Sequence, residues 1–307
     1  MPKTPMADSS PWTLLRLVKW TTGYFQDHGI ENPRSEAETL LAHAMGLRRI
    51  DLYLNHDQPL DPDERKHFKT LIKRRVSHEP LAYITGTREF WSLELAVDPA
   101  VLIPRPETEC LVEAVLPFLD DPDGPLKRVL DLGTGSGAIP IALAHEHPEH
   151  AYVALDRSPA ALRIARRNAR THRVDDRIQW FCGNWDAALW PSAAPFDLIV
   201  SNPPYIRSGD MASLQPEIHG YEPALALDGS TDGLACLRRI IASAHRHLRV
   251  GGLLALEMGW DQADDVTAMA AGVGCYGTVR VVKDYSGLDR VAVMEKVNNK
   301  NQNTNDK

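Results

Sequence analysis

Cysteine is scarce in this sequence. The four residues Cys110, Cys182, Cys236 and Cys275 lie far apart, with no CxxC pair and no Cys/His cluster at metal-ligand spacing. Such scatter argues against a disulfide framework or a structural zinc site, and the expectation is isolated, buried thiols in a reduced compartment. No metal is expected. Long apolar runs are also missing. None approaches the roughly 20 residues of a membrane span, and the opening Met1-Pro2-Lys3-Thr4-Pro5 lacks the apolar stretch of a signal peptide. A cytoplasmic protein with no membrane partner is expected. Excess positive charge is the third absence. The formal net charge is -7, whereas a protein that lives on bulk nucleic acid needs a positive field. Direct DNA binding is therefore not expected, although a local basic patch stays open. What is present is ample apolar material: 43% of 307 residues, enough for one large domain or a large domain with a smaller one attached.

The chain changes period along its length. The first ten residues read as loose. From Pro11 the pattern is helical, with Leu14, Leu15, Val18 and Thr22 at three- and four-residue spacings. Ser35 and Glu38 suggest a capping box opening a second helix, with Gly46 as its stop. Asp61-Pro62 suggests the start of a third, which carries Phe68, Leu71 and Ile72 on one side. Lys66, Lys69, Lys73, Arg74 and Arg75 occupy its other positions, as a solvated face or a contact for a partner protein or RNA. Leu93, Leu95 and Val97 then alternate with polar or small residues, and a hairpin from Glu89 is expected. Pro106 opens a helix to about Leu119, and Asp120 to Gly124 reads as a turn-rich link. From Arg128 strands and helices alternate: Val129–Asp131, Tyr152–Leu155, Ile178–Phe181, Leu198–Val200 and Leu253–Glu257 are short apolar strands, the last entered by a turn at Gly251-Gly252. Val279–Val282 and Val291–Met294 suggest an antiparallel pair closing the sheet. Repeated βα units with apolar strands imply a mostly parallel sheet covered on both faces.

Two constellations carry chemistry. Asp131-Leu132-Gly133-Thr134-Gly135-Ser136-Gly137 follows the first of these strands and opens a helix. Its glycines allow a tight turn and close approach of the backbone to a ligand. A dinucleotide fingerprint fits loosely, but the third glycine comes early and an acidic residue precedes the loop. A pyrophosphate wants the helix N-terminus free of negative charge. An ammonium and a sulfonium suit it better, as in the methionine part of S-adenosyl-L-methionine. Asp156 ends the next strand, where a carboxylate can accept from two ribose hydroxyls. Trp185, beyond the following strand, offers a flat surface for an adenine.

The second is Asn202-Pro203-Pro204-Tyr205, directly after the strand Phe196–Ser201. Two prolines stiffen the loop and remove two amide donors. The acceptors left are the Asn202 side-chain oxygen and the Pro203 carbonyl, beside the aromatic plane of Tyr205. Two such acceptors can hold both hydrogens of a planar NH2 group and aim its nitrogen at a methyl carbon. They also stabilise positive charge growing on that nitrogen. The tetrapeptide alone leaves adenine and a glutamine side chain both open.

Taken with Ile103-Pro104-Arg105-Pro106-Glu107-Thr108-Glu109, the Gly86–Trp91 segment and Tyr221-Glu222-Pro223, these motifs resemble the peptide-chain release factor glutamine N5-methyltransferases, the PrmC or HemK family. The resemblance runs over nearly the whole ordered chain. It implies transfer of a methyl group from S-adenosyl-L-methionine, with S-adenosyl-L-homocysteine as product, to the glutamine of a Gly-Gly-Gln motif in class I peptide-chain release factors. It implies cofactor contacts at Gly133, Thr134, Gly135, Ser136, Gly137, Asp156, Trp185 and Asn202. Substrate contacts would fall at Asn202, Pro203, Pro204 and Tyr205, with Asn202, Pro203 and Tyr205 in catalysis. The expected fold is α/β: a seven-stranded, mostly parallel, Rossmann-like methyltransferase sheet with a small N-terminal helical domain and a linking β-hairpin. The expected boundaries are a helical substrate-recognition domain at 11–78, a linker at 79–105, the catalytic domain at 106–297 and a disordered tail at 298–307. A monomer is expected. The alternatives are a glutamine methyltransferase of a large-subunit ribosomal protein, a DNA N6-adenine methyltransferase, which would need a basic DNA-reading surface, and a non-enzymatic methyl-donor-binding module.

Overall fold

The computed structural model describes residues 11–121, 124–185 and 195–298. The loose first ten residues and all but the first residue of the expected tail lie outside the described residues. The chain divides into two compact units, Met1–Gly86 and Thr87–Lys307.

The first unit is helical. Helix α1 (Leu14–Asp27) starts where the Thr13 hydroxyl accepts from the Arg16 amide, and it buries Leu14, Leu17, Val18, Thr21 and Phe25. Its inward face is thus turned from the expected one, since Leu15 and Thr22 are only half-buried. Helix α2 (Pro33–Met45) starts two residues before Ser35: Asn32 in the left-handed region and Pro33 at the first turn open it, and no side-chain cap forms. The expected Ser35/Glu38 box is therefore absent. Glu38 is buried instead, and it accepts from Arg34 (3.0 Å), from Arg49 (2.6 Å) and from the Tyr53 hydroxyl. Gly46 does end α2 in the left-handed conformation. A short helix, α3 (Asp51–Leu54), precedes α4 (Pro62–Val76). Helix α4 carries a true capping box, Asp61 with Glu64. Lys66, Lys69 and Lys73 are exposed on it, but Arg75 is not part of that basic face. It is 2% exposed and grips Glu36 through Nε and one terminal nitrogen. Helix α5 (Leu81–Thr85) ends the unit.

The second unit begins with a hairpin, β1 (Thr87–Phe90) and β2 (Leu93–Ala96). Trp91 and Ser92 both take positive φ, 54° and 57°, as a two-residue turn of the right twist requires. Neither is glycine. Hydrogen bonds hold Trp91 there: its amide donates to Glu109 (2.8 Å) and its indole N–H to Glu146 (2.7 Å). Helix α6 (Pro106–Leu119) leads into β3 (Arg128–Leu132), α7 (Ala138–Glu146), β4 (Ala151–Asp156), α8 (Pro159–Thr171), β5 (Ile178–Cys182) and β6 (Phe196–Ser201). Then come α9 (Pro216–Tyr221), α10 (Ala235–Ala244), β7 (Leu248–Glu257), α11 (Ala263–Val273), β8 (Arg280–Lys283) and β9 (Asp289–Glu295).

Seven strands form one sheet in the order β5-β4-β3-β6-β7-β9-β8. The first five are parallel, and β9 runs antiparallel to both its neighbours. Leu130, Leu198, Ile199, Val200 and Leu254 are wholly buried, because helices cover both faces of the sheet. Strand β7 corrects one expectation. Gly251-Gly252 is not a turn before the strand but an irregularity within it, where the β6–β7 register shifts. A Cβ on Gly252 would sit 2.9 Å from the Asp197 carbonyl oxygen. Helix α11 was not foreseen, although Asp264 and Asp265 in its first turn and Gly274 after its end are start and stop signals. The thiols also differ from expectation. Cys110 and Cys275 are buried, Cys236 is half-buried, and Cys182 is exposed because it ends the edge strand β5. None of the described helices is long and apolar enough to cross a membrane.

Candidate active site

Strand order reverses between β3 and β6, and ligands of open α/β sheets bind in the crevice at the carboxyl ends of strands at such a switch point. Asp131 of β3 pairs in register with Val200 of β6, so the glycine loop and Asn202 leave the sheet side by side. Asp156 pairs with Cys182 at the ends of β4 and β5, which brings Trp185 to the same edge. The result is a cavity of about 330 Å³ whose wall includes Gly133, Thr134, Gly135, Ser136, Asp156, Trp185, Asn202 and Pro204. Eight positions expected in the site from the sequence therefore meet here.

Each glycine of the loop has its own reason. All three have positive φ: 79°, 55° and 82° at Gly133, Gly135 and Gly137. A Cβ on Gly133 would lie 3.5 Å from the Trp185 ring, and one on Gly135 would project into open space. Gly137 does not face the cavity. A Cβ there would press on Ile141 at 3.0 Å and on Ala165 at 3.1 Å, so this glycine lets α7 pack against α8.

Asp156 organises the loop. One carboxylate oxygen accepts from the Gly135 amide (2.9 Å) and the other from the Ser158 amide (2.8 Å). An ionised carboxylate has about four acceptor positions, so each oxygen keeps capacity for a hydroxyl. Asp131 behaves differently. It is completely buried beside the Thr134 hydroxyl, which does not reach hydrogen-bond geometry with either oxygen. Burial pushes its carboxyl up to about 7. The Thr134 hydroxyl acts against that rise and is itself buried. Unsatisfied buried acceptors cost stability unless a ligand meets them. An orphaned carboxylate under a glycine loop, a cavity open at Gly135 and a flat indole beside it fit a ligand with an ammonium, a ribose and an adenine.

The Asn202–Tyr205 loop is braced from behind. Tyr205 accepts at its carbonyl from the Gln262 side-chain amide (3.1 Å). Gly229 and Gly233 let a second loop approach closely, since Cβ atoms there would fall 2.8 Å and 2.5 Å from the Tyr205 backbone. Pro203 is buried and Tyr205 half-buried, and neither is on the cavity wall. The Tyr205 hydroxyl donates to Glu257 (3.0 Å) instead of facing the cavity, and its ring packs on the core below the sheet edge. Two residues singled out only through the resemblance meet beside the cavity, with Arg105 on its wall. Arg105 pairs with the buried Glu222, whose other oxygen accepts from the Ile103 amide (3.1 Å). Sequence reasoning missed Glu257 altogether. Its signal was a lone carboxylate at the carboxyl end of an apolar strand.

Among the described residues one other cluster has metal-ligand character: His147, Glu149 and His150 bring three possible ligand atoms together. Both ring nitrogens of His150 already face backbone groups, the Lys127 amide (3.4 Å) and the Leu119 carbonyl (3.1 Å).

Comparison with known proteins agrees with this layout. Residues 16–86 match the PrmC N-terminal domain, and residues 109–218 match the methyltransferase small domain. The release factor glutamine methyltransferase of Geobacter sulfurreducens is 43% identical, over 91% of this chain and 95% of that protein. The protein of the same name from Rhodopirellula baltica is 37% identical, over 94% of this chain and 98% of its own length. Among solved structures, the hMettl16 catalytic domain in complex with the MAT2A 3'UTR hairpin 6 has a TM-score of 0.57 at 17% identity, covering 73% of this chain and 82% of that one. That likeness concerns the fold alone. On the identity and coverage of its relatives, this chain belongs to the release factor glutamine methyltransferases.

Proposed function

We propose that the chain transfers a methyl group from S-adenosyl-L-methionine to the N5 side-chain nitrogen of the glutamine in the Gly-Gly-Gln motif of class I peptide-chain release factors, in the cytoplasm and in the service of translation termination. The observation that carries this reading is the hydrogen bond from the Asn202 side-chain N–H to Thr108 Oγ1 (3.0 Å). It uses the donor end of Asn202 and leaves its oxygen to accept from an incoming amide. The methyl donor supplies an electrophilic methyl carbon and is left as S-adenosyl-L-homocysteine.

The residues at the end of the sheet would hold the donor in distinct ways. Asp156 would accept from ribose hydroxyls, Asp131 would balance the ammonium, Trp185 would cover the adenine, and Gly133 to Ser136 would allow close approach. Asn202 Oδ1 and the Pro203 carbonyl would accept both hydrogens of the glutamine amide. Holding both fixes the plane of the NH2 group and the direction of its nitrogen. The amide nitrogen gains positive charge as it is methylated, and two fixed acceptors stabilise that charge without reorganising. No general base is needed, because the charged nitrogen sheds its proton readily afterwards. The names of the relatives supply the choice of glutamine over adenine.

The test is Asn202→Ala. Transfer to a release factor should be lost while S-adenosyl-L-homocysteine still binds. Undiminished turnover in that variant contradicts the amide-orientation mechanism.

A further inference from the structure

Behind Asn202 lies a chain of hydrogen bonds that ends on a fully buried acid. The Asn202 side-chain N–H donates to Thr108 Oγ1 (3.0 Å), and the Thr108 hydroxyl donates to Glu257 Oε2 (2.6 Å). The Tyr205 hydroxyl donates to the other Glu257 oxygen (3.0 Å). Thr108 is 5% exposed and Glu257 1%, so water does not compete for these bonds. Three separate elements meet here: the first turn of α6, the end of β7 and the loop after β6.

We infer that Glu257 is a positioning residue for methyl transfer: through Thr108 it sets which end of the Asn202 side-chain amide faces the acceptor nitrogen. This inference rests on the reading that Asn202 holds the glutamine amide. A threonine hydroxyl has one proton, and a carboxylate only accepts. With Glu257 ionised, the Thr108 proton points at the carboxylate. What Thr108 then offers Asn202 is a lone pair, which only the NH2 end of the amide can use. Asn202 Oδ1 is left facing the cavity. The flipped amide would set two acceptors against each other at Thr108 and present a donor to the donor NH2 of the substrate. A neutral, two-ended group at Thr108 or at Glu257 loses that discrimination. Tyr205 shares the same anchor, so one carboxylate orders both ends of the Asn202–Tyr205 loop. Burial pushes the Glu257 carboxyl up, while the hydrogen bonds from Thr108 and Tyr205 and the guanidinium of Arg290, itself held by Asp284 (3.0 Å), act to keep it ionised.

The experiment uses the full-length enzyme with an unmodified class I release factor as methyl acceptor. It compares Thr108→Val, Thr108→Ser, Glu257→Gln and Asn202→Ala for kcat, KM, affinity for S-adenosyl-L-homocysteine and thermal melting. Thr108→Val keeps the shape and removes both hydrogen bonds. It should lower kcat about ten- to a hundredfold, the range of one misdirected hydrogen bond. Affinity for S-adenosyl-L-homocysteine should stay unchanged. Thr108→Ser should restore kcat to within about threefold, and Glu257→Gln should behave as Thr108→Val does. A purely structural role predicts a lower melting temperature with kcat intact in the folded fraction, and that result overturns the proposal. So does a Thr108→Ser variant as slow as Thr108→Val. If Glu257→Gln fails to fold, the Thr108 pair decides. Retained turnover in Asn202→Ala would remove the functional reading itself. Loss there with full turnover in Thr108→Val would overturn the relay alone.

Discussion

Asp131 offers the sharpest pH test of how the methyl donor is held. Burial raises its carboxyl from 3.8 to about 7, a shift of roughly three pH units, or about 4 kcal/mol at ~1.4 kcal/mol per unit. The fold therefore binds this proton more tightly than the unfolded chain does. The stability this adds is complete below pH 3.8 and is lost as pH rises through about 7. A bound ammonium reverses the preference, because it favours the ionised carboxylate. Binding near or below pH 7 must then expel a proton, and affinity falls up to about tenfold for each pH unit below that point. Between about pH 7 and about pH 5.5 the loss is roughly sixteenfold. Calorimetry with S-adenosyl-L-homocysteine, which keeps the ammonium, measures this directly. Titrations in two buffers of different ionisation enthalpy count the protons released. Asp131→Asn should bind more weakly at about pH 7.5, with affinity nearly independent of pH. A wild-type affinity that does not change over this range, with no proton released, refutes the role given to Asp131.

Three further outcomes are expected. Asp156→Ala removes the acceptor for the Gly135 and Ser158 amides and, on the proposed function, the one that would take the ribose hydroxyls. It should weaken S-adenosyl-L-homocysteine binding by roughly 1–3 kcal/mol, and unchanged calorimetric affinity would take Asp156 out of the site. Gly137→Ala must place a Cβ against Ile141 and Ala165 at φ 82°. Denaturant unfolding should show a loss of about 1–3 kcal/mol, and an unchanged midpoint would contradict the packing role. Arg75→Ala leaves the Glu36 carboxylate without the buried guanidinium it faces. It should cost about 3 kcal/mol, whereas Lys69→Ala on the exposed side of the same helix should stay within about 0.5 kcal/mol. Equal effects would show that Arg75 belongs to the basic face after all.

Much of the layout was legible because it is written locally. Strand β3 announces itself as a short apolar run before glycines, and β6 as one running into two prolines. Placing both at the carboxyl edge of a parallel sheet follows from topology rules. What was not legible depends on partners distant in sequence. Thr108 and Glu257 touch across 149 positions, and no period in the chain encodes that contact. Arg75 looks like one more basic residue on α4 until Glu36, 39 positions earlier, is brought against it. At α2 two local signals competed: Asn32-Pro33 took the start of the helix and freed Glu38 for a buried ion-pair cluster. The position of Tyr205 in the sequence offers an aromatic plane but says nothing about its direction. The buried Glu257 draws its hydroxyl away from the cavity.

The central claim is the identity of the nitrogen that receives the methyl group. The most direct measurement offers labelled S-adenosyl-L-methionine and this enzyme to an unmodified class I release factor, a large-subunit ribosomal protein and duplex DNA in parallel, followed by mass spectrometry of the labelled product. Label is expected on the release factor alone, on the side-chain nitrogen of the Gly-Gly-Gln glutamine. Label on the ribosomal protein, on adenine, or on another residue of the release factor would contradict that assignment.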